Sequence, residues 1–200
     1  MKFAKLRKPL ALLSLASCVL VLGAWVVQET KEGAGSSQPA TPADGHTIHV
    51  TAPHVVAGKT MGPYHHYCKV LSPEPVIECL CYTSTDPNAR LEQVEYIMAK
   101  SITRTGAVSL SDWNRNWHDH KQEIATGRVQ VLDLPADKAK EVADLVSTTD
   151  GIIFHVWSHD DKVPSGHVII AQSVGHVNLT PAELKQGAQE TAGAKTSRQR

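Results

Sequence analysis

Short segments in which apolar and polar residues alternate run through the middle of the chain. This period of two indicates β-strands, because successive side chains of a strand face opposite sides of a sheet. This alternation predicts a strand over residues 128–132, and short runs rich in apolar and β-branched residues predict strands over residues 76–82, 151–157 and 167–173. Residues 91–99 are ambiguous. Leu91, Val94 and Met98 have helical spacing, whereas Val94, Tyr96 and Met98 alternate as in a strand.

Two further stretches have the spacing of three and four residues that marks one face of a helix. Ser111 is a suitable cap for a helix that begins at Asp112 and ends at Gly127. A second helix is predicted from Pro135 to Val146, because proline is favoured at the first helical position. Strands and helices are interspersed without regular βαβ alternation. We therefore predict the α+β class, as a single compact domain with a mostly antiparallel sheet flanked by a few helices.

The N-terminus has a different composition from the rest. Basic residues at positions 2, 5, 7 and 8 precede an uncharged run over residues 9–27, which predicts an export signal. Three outcomes stay open: a retained anchor, since a span needs about 20 residues; a lipoprotein acylated at Cys18, since Leu15-Ala16-Ser17-Cys18 resembles a lipobox; or cleavage after Ala24. We expect a location in the cell envelope, with the domain facing the periplasm or the exterior and the N-terminus at the membrane.

Composition also sets the expected domain boundaries. Residues 1–27 are the export signal or anchor, and residues 28–52 form a flexible linker, because they offer no apolar face to bury. The folded domain is expected over residues 53–183, followed by a polar tail over residues 184–200. The net charge is +0, and no basic block follows the N-terminus. A nucleic-acid partner is therefore not expected.

Histidines supply the candidate chemistry, and the clearest group is His118, His120 and Glu123. On a helix His120 and Glu123 share a face, whereas in an extended segment His118 and His120 do. Imidazole and carboxylate groups suit a divalent transition metal such as zinc. The alternative is that His120 packs beneath Trp113 and Trp117 with a hydrogen bond, while His118 lies on the surface.

A second group contains His65, His66 and Cys68. In an extended segment His66 and Cys68 share a face and His65 lies on the other. The pair suits a shared metal, or a thiol nucleophile beside a histidine base. The alternative is a disulfide, because exported cysteines tend to pair, and Cys79 and Cys81 share one face of their strand. Either Cys79 or Cys81 could therefore pair with Cys68, and Cys68 with Cys79 is the candidate bridge.

The third group is Phe154-His155-Val156-Trp157, where a buried, hydrogen-bonded histidine is the ordinary interpretation. His46, His49 and His54 lie in or beside the expected linker and are not chosen as candidates. The same chemical types recur beside aromatic residues in three distant segments, and a metal or a closed hydrogen-bond network would offset the cost of burying several imidazoles. We therefore predict that five side chains converge on one pocket as candidate metal ligands: His66, His118, His120, Glu123 and His155.

These residues form part of a longer pattern. It comprises His65-His66-Tyr67-Cys68, Cys79 with Tyr82, Asp86-x-x-Ala89-Arg90-Leu91-x-x-Val94-Glu95-Tyr96, Trp117-His118-x-His120 with Glu123 and Gly127, Phe154-His155-x-Trp157, and Pro164-x-Gly166. The pattern covers roughly residues 60–172 and resembles the oil body-associated protein family, here as a bacterial-type, exported member. The resemblance implies that residues 91–99 form a strand, with Glu95 as a further carboxylate facing the site. Cys81 departs from the family, in which an apolar residue is usual.

Three functional hypotheses follow. The first is an exported, membrane-tethered domain with a His/Glu/Cys site that binds a divalent metal. The second is a non-catalytic binding or structural module at a lipid or membrane surface, since plant members of the family are associated with seed oil bodies. The third is a metal-dependent hydrolase or oxygenase, which requires an open coordination position. A lipid or small-molecule ligand is compatible with all three, and the sequence does not indicate a reaction.

Overall fold

The computed structural model describes residues 41–42 and 44–186. The predicted export signal, its Cys18 and most of the polar tail lie outside the described residues. No helix within the described range is long and apolar enough to cross a membrane.

One antiparallel sheet dominates the described part of the chain and confirms the predicted fold class. Its strands are β1 (Ile48–Val56), β2 (Lys59–Ser72), β3 (Val76–Tyr82), β4 (Leu91–Ala99), β5 (Trp117–Asp119), β6 (Gln130–Leu132), β7 (Thr149–His155) and β8 (Ile169–Ser173). The helices are α1 (Lys100–Ile102), which continues into a π-helical turn (Thr103–Ala107), then α2 (Leu110–Asn116), α3 (His120–Ala125) and α4 (Ala136–Val146).

The sheet closes on itself. Strands β2, β3, β4, β7, β8 and β1 are neighbours in that order, and β1 also pairs with β2. Strand β8 pairs with only part of β1 and part of β7. The short strand β6 pairs with another part of β1, and the short strand β5 pairs with another part of β7. Closure creates an interior toward which alternate residues of each strand point.

Both apolar and polar side chains occupy this interior. The apolar part consists of Val50, Tyr64, Cys68, Ile77, Cys79, Cys81 and Ile97. The polar part, with no side chain more than 3% exposed, consists of His54, His66, Gln93, Glu95 and His155. A buried polar group without a partner costs about 1–3 kcal/mol, so five of them in one interior require an arrangement that satisfies them.

Several predicted elements agree with the structure. The strand predicted over residues 76–82 coincides with β3, and the ambiguous segment 91–99 is β4, as the family resemblance implied. The helix predicted from Pro135 is α4, with Pro135 as its N-cap residue. The other three predicted strands overlap β6, β7 and β8.

The continuous helix predicted over residues 112–127 is wrong. Ser109, rather than Ser111, caps the first helical piece by accepting a hydrogen bond from the backbone N–H of Asp112. The chain then extends as β5, which pairs with β7, before α3 begins. Hydrogen bonds to a neighbouring strand, which local spacing does not reveal, therefore override the helical pattern.

The sheet begins earlier in the chain than the expected domain boundary at residue 53. Strand β1 starts at Ile48, inside residues 28–52 that were expected to form a linker. Pro53 interrupts this strand in sequence, and the pairing with β2 shifts in register between Ala52 and His54. A bulge accommodates proline because no ladder hydrogen bond is required from its nitrogen.

Candidate metal centre

Glu95 lies at the centre of a group of buried imidazoles inside the closed sheet. Its Oε1 atom is 3.1 Å from Nε2 of His118 and 3.2 Å from Nε2 of His120. Its Oε2 atom is 3.3 Å from Nε2 of His66. Each oxygen of the carboxylate therefore faces a different set of rings.

The first set, which we call trio A, consists of Glu95, His118 and His120. The two Nε2 atoms are 3.3 Å apart, which closes a triangle with Oε1 of Glu95. His118 belongs to β5 and His120 begins α3, so the short extended segment brings both rings to one side. Metal–ligand bonds of 2.0–2.1 Å in a tetrahedral zinc site separate neighbouring ligand atoms by about 3.3–3.4 Å, close to this triangle.

The second set, trio B, consists of His54, His66 and Glu95. Nε2 of His54 is 3.3 Å from Nε2 of His66. One ligand atom from each of the three residues lies within 4.8 Å of the others, as is also true of trio A. The rings come from β1 and β2, which pair in the closed sheet.

Hydrogen bonds on the outer side of trio B determine which ring nitrogens carry protons. Nδ1 of His66 is 3.1 Å from the backbone carbonyl oxygen of Tyr64, and Nδ1 of His54 is 2.5 Å from Oε1 of Gln93. Both oxygens only accept, so both Nδ1 atoms donate. A neutral ring of this tautomer presents a lone pair at Nε2, toward Glu95.

His120 in trio A has the same orientation. The Thr149 hydroxyl donates to the carbonyl oxygen of Val146 at 2.6 Å, so its oxygen accepts from Nδ1 of His120 at 3.1 Å. Nδ1 of all three rings therefore donates outward, and Nε2 of each points inward, where it holds either a proton or a metal ion. Metal-bound histidines typically have this outer hydrogen bond, and either a cation or added protons must lie between such groups.

Electrostatics follow from this crowding. Burial raises the pKa of Glu95, but hydrogen bonds to His118, His120 and His66 outweigh burial and hold that pKa well below its usual range. Burial lowers the pKa of His54 to about 3, so this ring is neutral at pH 7. Burial lowers the pKa of His66, but Cys81 and Glu95 outweigh burial and raise that pKa well above its usual range, so His66 supplies positive charge beside the buried carboxylate.

Glu123 stands next to trio A. Its Oε2 atom is 3.6 Å from Nε2 of His118 and 3.9 Å from Nε2 of His120. Its Oε1 atom is buried without a hydrogen-bond partner among the described residues. Burial, offset in part by His118, raises the pKa of Glu123 to about 7. A carboxyl group left unsatisfied beside two imidazoles is suited to a further metal ligand.

Gly151 of β7 leaves the space that trio A occupies. A Cβ atom there would lie 2.5 Å from Oε1 of Glu95, 2.5 Å from Nε2 of His118 and 2.6 Å from Cε1 of His120. Any other residue would therefore displace the three side chains.

A buried ionic network holds β5 against β7 beside the site. Arg104 contacts Oδ2 of Asp119 at 2.9 Å and Oδ1 of Asp150 at 2.5 Å, while Lys100 contacts Asp119 at 2.7 Å. Asp119 lies between His118 and His120 in sequence and opposite Asp150 in the sheet. This network fixes the segment that supplies both rings of trio A.

A narrow cavity adjoins the two trios, between the sheet and α4. Its polar lining comprises His54, His66, Glu95, His120 and Glu123. Its other walls are mainly aliphatic side chains from β1, β3, β4 and α4. The cavity has room for about two water molecules, or for groups of that size.

The structure brings together most of the predicted ligands. His66, His118, His120 and Glu123 surround Glu95, the carboxylate that the family resemblance added. His155 belongs to neither trio, because Gln93 lies between His155 and His54. The Nε2 atom of Gln93 donates to Nδ1 of His155 at 3.1 Å.

The remaining candidates lie elsewhere. Cys68 forms a disulfide with Cys79, which confirms the predicted bridge and removes Cys68 as a nucleophile or ligand. His65 is on the other face of β2, where its Nδ1 atom is 3.0 Å from Nε2 of His49. Sequence reasoning missed His54 because it was assigned to the linker region. The alternation of buried Val50, Ala52, His54 and Val56 was the signal that could have identified it.

Comparisons with known proteins agree on a family. Residues 40–200 match the model of the family described as "Protein of unknown function (DUF1264)". Oil body-associated protein 1B of Arabidopsis thaliana is 29% identical over 139 residues, covering 68% of this chain and 56% of the relative. Oil body-associated protein 2B of Zea mays is 30% identical over 138 residues, covering 66% and 53%. The chain spans about half the length of these curated relatives. No solved structure matches it significantly.

Proposed function

Because residues 40–200 match its family model, the chain belongs to the DUF1264 family, and we propose that it is an exported, membrane-tethered protein. We propose further that it binds a divalent transition metal, such as zinc, inside its closed sheet. The comparisons supply the family. Trio A supports the metal, and the composition of residues 1–27 supports the location.

The triangle of ligand atoms in trio A is the observation that carries the metal proposal. Its sides of 3.1, 3.2 and 3.3 Å match the spacing expected around one ion. Two imidazoles with one carboxylate form a donor set that both zinc and non-haem iron use. Glu123 Oε2, at 3.6 Å from Nε2 of His118, stands where a fourth ligand or a base for bound water would be needed.

The cavity beside trio A extends the proposal to chemistry. A structural zinc site is closed by four protein ligands, whereas a catalytic site keeps a position for water or substrate. Space for about two water molecules adjoins Glu95, His120 and Glu123. A metal held there would act as a Lewis acid or activate water, which are the tasks of a hydrolase or an oxygenase.

Elemental analysis of untagged protein, purified without chelator and reconstituted with zinc, tests the metal proposal. Wild-type protein should retain metal after desalting. His118→Ala should lose the ion of trio A, because it removes one corner of the triangle. His167→Ala is the matched control, since that residue is exposed before β8. A wild-type protein that never retains metal would refute the proposal. Lipid in its organic extract would then favour the lipid-surface module.

A separate experiment tests the location. Basic residues before the apolar run support export with the domain outside the cytoplasm. A reporter enzyme fused after Arg200 should be active only in the exported compartment, and cytoplasmic activity would contradict export. Labelling with a radioactive fatty acid that disappears in Cys18→Ser would identify the lipoprotein form.

A further inference from the structure

We infer that the centre is dinuclear, with Glu95 bridging two metal ions. One ion is held by trio A through Oε1 of Glu95, and the second is held by trio B through Oε2. The inference deepens the proposed metal function and rests on it, because the second ion shares the carboxylate of the first.

The division of contacts between the two oxygens of Glu95 is the first argument. Oε1 has its short contacts with the two rings of trio A, at 3.1 and 3.2 Å, and Oε2 has its short contact with His66, at 3.3 Å. A carboxylate that binds one ion directs both oxygens toward that ion, or directs one oxygen toward it and leaves the other without ligand atoms nearby. Here Oε1 faces the two rings of trio A, and Oε2 faces His66, whose Nε2 atom is 3.3 Å from Nε2 of His54, which is the arrangement of a bridge. Two-metal sites generally hold their ions about 3.5–4 Å apart.

The geometry of trio B is the second argument. The outer nitrogens of His54 and His66 both donate, to Gln93 and to the Tyr64 carbonyl, which directs both inner nitrogens into the interior. These inner nitrogens are 3.3 Å apart, and that of His66 is 3.3 Å from Oε2 of Glu95. One ligand atom from each of the three residues lies within 4.8 Å of the others, so a single ion placed there contacts all three.

The supporting hydrogen bonds of trio B are the third argument. Gln93 accepts from His54 through its oxygen and donates to His155 through its nitrogen, so its amide orientation is fixed at both ends. His54, Gln93 and His155 are at most 2% exposed. Outer groups of this kind hold metal-bound histidines in the required tautomer and orientation. His155, which belongs to neither trio, is in this way a positioning residue for the second ion.

The charge balance indicates the class of ligand that the pair of ions would take. Two dications bring four positive charges, and Glu95 with Glu123 supplies two negative charges. The excess attracts hydroxide or an anionic oxygen of a substrate, such as that of a phosphate ester or a carboxylate. The adjoining cavity has room for about two water-sized groups, enough for a hydroxide between the ions.

Metal counting distinguishes this inference from the proposed function. Untagged full-length protein, stripped and reconstituted with cobalt, should hold two ions per chain. His54→Ala and His118→Ala should each hold one, and the control His167→Ala should hold two. One ion in wild type, unchanged in His54→Ala, would refute the second position and leave the proposed function standing. No ion in wild type would refute both.

Spectroscopy of the wild type keeps the test independent of how the variants fold. Protein loaded with two equivalents of Cu²⁺ should give the electron paramagnetic resonance of a coupled pair, including a half-field transition. Signals of isolated Cu²⁺ at every loading would overturn the bridge. Gln93→Leu should weaken the second ion about 10–100-fold and leave the first unchanged, since an outer-shell partner typically contributes that much. Equal weakening of both ions would instead indicate a general packing role.

Discussion

Gly151→Ala is the smallest change that should empty trio A. The added methyl group would lie 2.5 Å from both Oε1 of Glu95 and Nε2 of His118. Strand β7 pairs with β4 along its length and with β5 over three residues, so its backbone has little freedom to retreat. The ligand side chains must move instead.

The size of this movement follows from the distances. Ordinary van der Waals contact begins near 3.4 Å, so each contact at 2.5 Å must open by about 0.9 Å. Overpacking of this kind costs about 1–3 kcal/mol of stability. Displacing ligands by nearly 1 Å should lower metal affinity far more, by about 100-fold or greater, since positioned groups tolerate only about 0.5 Å.

Thermal unfolding with and without zinc measures both effects. Zinc at 100 times the Kd of trio A should contribute about 2.7 kcal/mol to the stability of wild-type protein through that site, and this contribution should disappear in Gly151→Ala. Gly166→Ala is a suitable control. No described atom lies within 4 Å of its added Cβ, and its φ of +83° costs only backbone strain, about 1 kcal/mol. Wild-type zinc stabilisation in Gly151→Ala would refute the assignment of trio A.

Three further predictions concern the surroundings of the site. Arg104→Met should destabilise the fold by about 3–5 kcal/mol in urea denaturation, because it leaves Asp150 buried without its cation; a loss below 1 kcal/mol would contradict this. Burial raises the pKa of Asp119, but Lys100 and Arg104 outweigh burial and hold that pKa below the ordinary value of 3.8. The stability that this carboxylate contributes is therefore present above pH 3.8, and it is lost as the pH falls through the pKa of Asp119 in the folded protein. Lys100→Met should weaken that acid transition, and an unchanged acid limb would exclude Lys100 as its cause. Reduction of the Cys68–Cys79 bridge, which spans 11 residues, should lower the free energy of unfolding by about 3 kcal/mol, measured by urea denaturation with and without reductant. The metal content should stay the same, and loss of metal on reduction would show that the bridge supports the centre.

The sequence determined the elements whose signals are local. Residues 76–82 form a short, mainly apolar run followed by a turn sequence, and Pro135 marks a helix start, so β3 and α4 could be predicted without knowledge of their neighbours. The sequence also indicated which types of side chain could be ligands, because imidazoles and carboxylates recur beside aromatic residues in three separate segments. The tendency of exported thiols to bond indicated a bridge at Cys68 but did not decide between Cys79 and Cys81 as its partner.

Only the tertiary structure decided which of these groups meet. The helical spacing around Trp117 gave way to pairing of β5 with β7, and this break brought the rings of His118 and His120 together. Closure of the sheet drew His54 into the interior beside His66. Strand register placed Gln93, rather than His155, next to His54. Local patterns report interactions over about four residues along the chain, whereas the position of each ligand around Glu95 depends on hydrogen bonds between strands that lie far apart in sequence.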